Sequence, residues 1–133
     1  MIKKCDWCLG NPLMEEYHDA EWGVPIHDDR KLFEFLVLDA MQAGLSWQTI
    51  LNKRENFRKA FDNYDIEKIA RYTPRKIEKL LQDKGIIRNK QKVNSAVTNA
   101  KAFLKIVDEF GCFDRYIWDF VNGKPIINKW KTM

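Results

Sequence analysis

Between Glu34 and Lys53 the only charged residue is Asp39, seven positions after Leu32 and four after Phe35, on the apolar stripe of a helix. Burying an ionised carboxylate there costs several kcal/mol unless something pairs with it. Asp39 is therefore expected either as a structural carboxylate, bonding backbone amides or capping the next helix, or as a polar group at the base of an apolar pocket. Aromatic residues form a second group: Trp7, Tyr17, Trp22 and Trp47 lie next to polar neighbours such as Glu16, His18, Glu21 and Ser46. Flat rings pack cores, but they also stack on an extruded nucleobase, and they hold a cationic base still better because the ring quadrupole attracts positive charge.

Cys5 and Cys8 form a C-x2-C pair, followed by His18 and His27. This is ligand chemistry for zinc, although the onward spacings of nine and eight residues match no zinc finger. Buried thiols and surface histidines would explain the same residues. A fourth feature is the turn at Gly85. Amides at the start of the helix after it would carry partial positive charge, and Lys84, Arg88, Lys90 and Lys92 add full charges. Such a turn suits a DNA phosphate, and a solvated basic face accounts for it equally well.

The elements that must position these residues read as helices, with no strand-like alternation long enough to propose a sheet. One helix runs from Asp29 to Met41, with Asp28 or Asp29 as N-cap and Gly44 as its stop; being apolar on nearly every face, it should be central. Ser46 caps a following helix whose Trp47, Ile50, Leu51, Phe57 and Phe61 recur at helical spacing. Asp65 opens a short helix with Ile66 and Ile69. Thr73-Pro74 opens another with Ile77, Leu80 and Leu81, ended by Gly85. A long helix follows from about Asn89 to Phe110, so the Gly85 turn joins a helix-hairpin-helix pair. Gly111 closes it, Phe113 to Val121 forms one more short helix, Asn122-Gly123 is a turn, and Lys124 to Met133 has no clear periodicity.

Composition sets the frame. The 133 residues contain no repeat or linker tract and fit one helical domain over 1–133, in which roughly 65–70% of the unfolded surface can be buried. Hydrophobic residues are 45% and charged residues 32% of the chain, which is globular rather than disordered composition. No apolar run reaches bilayer-spanning length and Met1 to Cys5 lacks a signal-peptide core, so a soluble, cytoplasmic protein is expected. Three cysteines, an odd number, argue against a disulfide framework. The net charge of +4 is compatible with a polyanion but does not require one.

Taken together, Tyr17-His18-Asp19-x-Glu21-Trp22-Gly23-Val24-Pro25, Gln42-Ala43-Gly44-Leu45-Ser46-Trp47 and Lys53-Arg54-Glu55-Asn56-Phe57 resemble the DNA-3-methyladenine glycosylase I family. Gln82-Asp83-x-Gly85-Ile86-Ile87-Arg88 and Phe120-Val121-Asn122-Gly123 extend the resemblance over essentially the whole chain. It implies an all-α helix-hairpin-helix fold and a monofunctional DNA repair enzyme that hydrolyses the N-glycosidic bond of 3-methyladenine in alkylated double-stranded DNA, with no lyase step. Trp7, Tyr17, Trp22 and Trp47 fall on the family's base-pocket aromatics, Asp39 on its carboxylate, and the hairpin residues Gly85, Ile86, Arg88 and Lys90 on its DNA contacts. The family usually has Glu at the carboxylate position, so Asp39 reaches one methylene less and water-mediated contact is the expectation. Cys5 and His18 match two ligands of a structural zinc. Related enzymes continue beyond the position of Met133 with their last helices and the other two ligands, so exposed apolar surface and dimerisation are expected here. The other reading consistent with these departures is a catalytically inactive helix-hairpin-helix DNA-binding fragment.

Overall fold

The computed structural model describes residues 5–123, and every regular element among them is helical. Eight α-helices follow in order: α1 Pro12–Ala20, α2 Asp29–Gln42, α3 Trp47–Asn52, α4 Arg54–Ala60, α5 Ile66–Ala70, α6 Pro74–Leu80, α7 Lys90–Phe110 and α8 Phe113–Trp118. Local chemistry sets most of their starts. Side-chain oxygens of Asn11, Asp28, Ser46, Asp65, Thr73 and Asn89 accept the amide three residues on, at 3.0 to 3.3 Å. Each satisfies one of the donors that a helix start leaves unpaired. Gly44 at φ +81° and Gly111 at φ +90° follow the ends of α2 and α7 in backbone conformations that a side chain would strain. The Lys124 to Met133 stretch lies outside the described residues.

The main core is built by α2, α4, α5 and α7, with Phe33, Val37, Leu38, Met41, Phe57, Phe61, Tyr64, Ile69, Val93 and Phe103 almost fully buried. A smaller cluster of Cys8, Met14 and Leu51, with Trp7, Tyr17 and Trp47 packed on it, seats α1 and the N-terminal turn against α3. One boundary departs from the sequence expectation. One helix is expected from Ser46 through Phe61, yet the chain breaks at Lys53 into α3 and α4. Ile50, Phe57 and Phe61 join the main core from both sides of the break, while Leu51 of α3 joins the small cluster.

A second correction concerns α2, which is central but not apolar all round. Its inner face is Phe33, Val37, Leu38 and Met41, whereas Leu36 and Asp39 are exposed. The buried carboxylate of α2 is Glu34, 5% exposed, which accepts a 2.8 Å hydrogen bond from Arg58 Nε. Burial of the Tyr64 phenol, and after it the charge of Glu34, hold that phenol above the ordinary range.

The turn between α6 and α7 is packed closely. A Cβ on Gly85 would come within 3.1 Å of the Asn56 side chain on α4, so it is close approach, not a left-handed backbone, that calls for glycine here. No helix among the described residues is long and apolar enough to cross a membrane.

Candidate functional site

The cleft of interest opens where α1, α2 and α3 meet. It holds about 350 Å³ and is lined by Trp7, Met14, Tyr17, Trp22, Asp39, Gln42 and Trp47. All five residues expected to form a base pocket converge on it, although they come from four separate stretches of chain. Its size lies near the lower end of small-ligand pockets, roughly 300–1,000 Å³.

Each wall follows from an element already described. Asn11 and Pro12 start α1 and so place Tyr17 on the side facing α3, where its ring lies 5.4 Å from that of Trp47. Ser46 caps α3 and fixes Trp47 as its first helical residue; the Trp47 indole Nε1 is buried and has no hydrogen-bond partner among the described residues. Trp7 stands 6.2 Å from Tyr17 and 5.5 Å from Trp22, with the ring planes inclined at 55° and 71°. Trp22 itself is 49% exposed and stacks on the His18 ring at 5.4 Å.

Asp39 stands exposed at the cleft, not buried beneath it as the sequence spacing suggested. Partial withdrawal from water nevertheless raises its carboxyl pKa above the ordinary value. The same carboxylate bears on Tyr17, whose phenol is raised first by burial, then by the charges of Asp39 and Glu21, and lowered somewhat by Arg54. Glu21 is held by Arg54, whose Nη1 lies 2.8 Å from both carboxylate oxygens. The site therefore presents one anion, Asp39, beside a neutral phenol and three indoles. A flat, apolar, cationic group suits that lining best.

Two lining residues were not singled out from the sequence. Gln42 lies one turn after Asp39 on the same face of α2, so helical spacing alone could have nominated it. Met14 belongs to α1, a helix that the sequence reading did not propose.

The hairpin is formed by α6, the turn at Gly85 and α7. Arg88 and Lys90 are exposed there, as is Lys84. The Gly85 amide already donates to Asp83 Oδ1 at 2.8 Å and the Ile86 amide to the Asp83 carbonyl at 3.4 Å, while the Ile86 side chain is 3% exposed and belongs to the core. The free positive charge of the turn thus resides in side chains more than in these two amides. Lys92, grouped with the phosphate-facing cations from sequence, points back into the protein and hydrogen-bonds main-chain carbonyls of Met41 and Ala43.

Cys5 and His18 do meet, the Cys5 amide donating to His18 Nε2 at 3.5 Å. Asp19 engages His18 Nδ1 at 3.1 Å, which turns Nε2 toward Cys5. Cys8 is buried and its thiol contacts the Cys5 carbonyl, and His27 lies apart, against Asp114 and Trp118. Among the described residues no three His, Cys, Asp or Glu side chains form a metal-binding group.

The family model described as methyladenine glycosylase matches residues 7–133. DNA-3-methyladenine glycosylase 1 of Escherichia coli K12 is 42% identical over 132 residues, covering 99% of this chain and 71% of that protein. The crystal structure of a 3-methyladenine DNA glycosylase I superposes with a TM-score of 0.92 at 44% identity, over 98% of this chain and 72% of the other. The Staphylococcus aureus enzyme, solved for the structural basis of 3-methyladenine recognition, gives 0.88 at 38% identity, over 92% and 65%.

Proposed function

The chain belongs to the methyladenine glycosylase family, and we propose that it hydrolyses the N-glycosidic bond of 3-methyladenine in alkylated DNA by drawing the flipped base into the cleft around Asp39. The observation that carries this reading is the convergence of Trp7, Tyr17, Trp22, Trp47 and Asp39 on one opening large enough for a single base.

Methylation at N3 makes the adenine in DNA cationic, so it is already a good leaving group. The chain then has three tasks. Stacking on the indoles and on Tyr17 offsets the loss of base stacking in the duplex. The Asp39 carboxylate stabilises the bound cation and the positive charge that develops on the sugar as the bond to N9 lengthens. Water supplies the oxygen that bonds to C1′ and gives up a proton, while the glycosidic electron pair leaves with the base as neutral 3-methyladenine and an abasic site remains. Gln42 offers an amide donor and acceptor at the base edge. Unmodified adenine, neutral and without the methyl, gains less from the same walls.

The hairpin side chains Arg88 and Lys90, with Lys84, are assigned to the phosphate backbone, where each contact adds salt dependence but no sequence preference. Gly85 and Ile86 serve this surface by setting the turn. Cys5 and His18 are assigned as half of a structural zinc site, and no chemical step passes through it. An inactive DNA-binding fragment would have no use for a cleft that assembles aromatics and a carboxylate from four stretches of chain, and that alternative is not favoured.

Release of 3-methyladenine from methylated DNA under single-turnover conditions tests the proposal. The chain is expected to release it, and Asp39→Asn to slow release far more than it weakens DNA binding. Equal excision by the parent and Asp39→Asn would show that the carboxylate takes no part.

A further inference from the structure

We propose that Lys92 is a positioning residue that ties the hairpin helix α7 to the wall of the base cleft, an inference that rests on the cleft reading above. Lys92 is the third residue of α7, where the helix dipole disfavours a cation. Its ammonium reaches across to the other kind of helix end. Nζ donates to the Met41 carbonyl at 2.8 Å and to the Ala43 carbonyl at 2.6 Å, both at the C-terminus of α2. Carbonyls there lack intrahelical partners and carry partial negative charge, so this is where a cation is favoured. Meanwhile the amide of Lys92 is held by the Asn89 cap at 3.1 Å, which fixes the backbone from which the side chain starts.

The two carbonyls flank Gln42, and the chain then turns through Gly44 at φ +81° into Ser46 and Trp47. Asp39, Gln42 and Trp47, three residues of the cleft lining, are therefore suspended from the junction that Lys92 clamps. Arg88 and Lys90 lie exposed at the start of the same helix. Seating that end of α7 on DNA thereby seats α2 and the α3 cap with it. Lys92 differs from its neighbours in kind: two of its three donors are committed to carbonyls rather than presented to solvent.

The test compares Lys92→Met, Lys92→Arg and the parent in three measurements: affinity for free 3-methyladenine, single-turnover excision at saturating DNA, and the salt dependence of DNA binding. Free base carries no phosphate, so a backbone contact cannot influence the first. Lys92→Met is expected to lower base affinity and the saturating excision rate by about ten-fold or more, because small misplacements of catalytic groups carry losses of that order. The salt slope stays at the parent value, and Lys92→Arg, which keeps donors at that end, recovers most of the loss. Asp65→Ala, which removes the α5 cap away from the cleft, serves as the stability control and is expected to leave base affinity unchanged. The proposal is overturned if Lys92→Met keeps base affinity and saturating rate while the salt slope falls by about 0.9, the mark of one lost phosphate contact. It is overturned equally if Asp65→Ala reproduces the loss, which would make Lys92 a source of general stability only. A parent chain that neither binds nor excises the base would remove the cleft reading itself, and this inference with it.

Discussion

Replacing Arg58 by Met should destabilise the fold by about 2–3 kcal/mol. The Glu34 side chain is only 7% exposed and faces Arg58 Nε at 2.8 Å, whereas the Arg58 side chain is 32% exposed. Removing one partner of a buried pair typically costs about 3–5 kcal/mol, and the lower end applies where water can follow into the vacated space, as it can beside Arg58. Urea unfolding at pH 7, followed by tryptophan fluorescence and circular dichroism, measures the loss. A companion Glu34→Met/Arg58→Met chain removes the stranded charge and should recover most of the loss. If Arg58→Met lies within about 0.5 kcal/mol of the parent, the burial of Glu34 is not what makes the pair matter.

The carboxylate of Asp39 should give a pH signature. Its pKa is raised by withdrawal from water, so the excision rate should fall on the acid side beginning above the ordinary aspartate range, and Asp39→Asn should flatten that limb; an unchanged limb would contradict the assignment. Stability carries the opposite sign, since a carboxyl whose folded pKa lies above its unfolded value binds its proton more tightly when folded. Protonating Asp39 thus favours the fold while it disables the site. Gly85→Ala should cost about 1 kcal/mol by pressing a Cβ to 3.1 Å from Asn56, and Asn56→Ala in the same chain should recover part of it, because the Cγ and Nδ2 atoms it removes are two of the three contacts.

How much of this was legible in the sequence depends on how local the cause is. Caps at Asp28, Ser46, Asp65, Thr73 and Asn89 are written in residue type, and the helix starts fall where they predict. Asp39 stood out by its place on the apolar stripe and the aromatics by their polar neighbours, and the resemblance then assigned them to one pocket. What failed was the inference of burial from spacing on α2. Leu32 and Phe35 pack half-buried against the main core whose inner face is Phe33, Val37, Leu38 and Met41, whereas Asp39, one turn after Phe35, lies where α2 reaches the cleft and stands exposed. Glu34, to which the sequence assigned no role, is the buried carboxylate, paired with Arg58 brought to it from α4, a contact 24 residues away in sequence. The break at Lys53 left no local sign either, since no Gly or Pro stands between Ser46 and Phe61. Lys92 resembles every other lysine of the hairpin until the carbonyls it reaches are known.

The central claim is that the cleft between α1, α2 and α3 takes the methylated base, and titration of free 3-methyladenine against the indole N–H resonances of the five tryptophans tests it most directly. Trp7, Trp22 and Trp47 should shift together and saturate with one affinity, while Trp118, stacked on His27 and bonded through Nε1 to the Ile26 carbonyl, stays in place. A saturable shift at Trp118 with the three cleft indoles unmoved would put the base elsewhere and contradict the account.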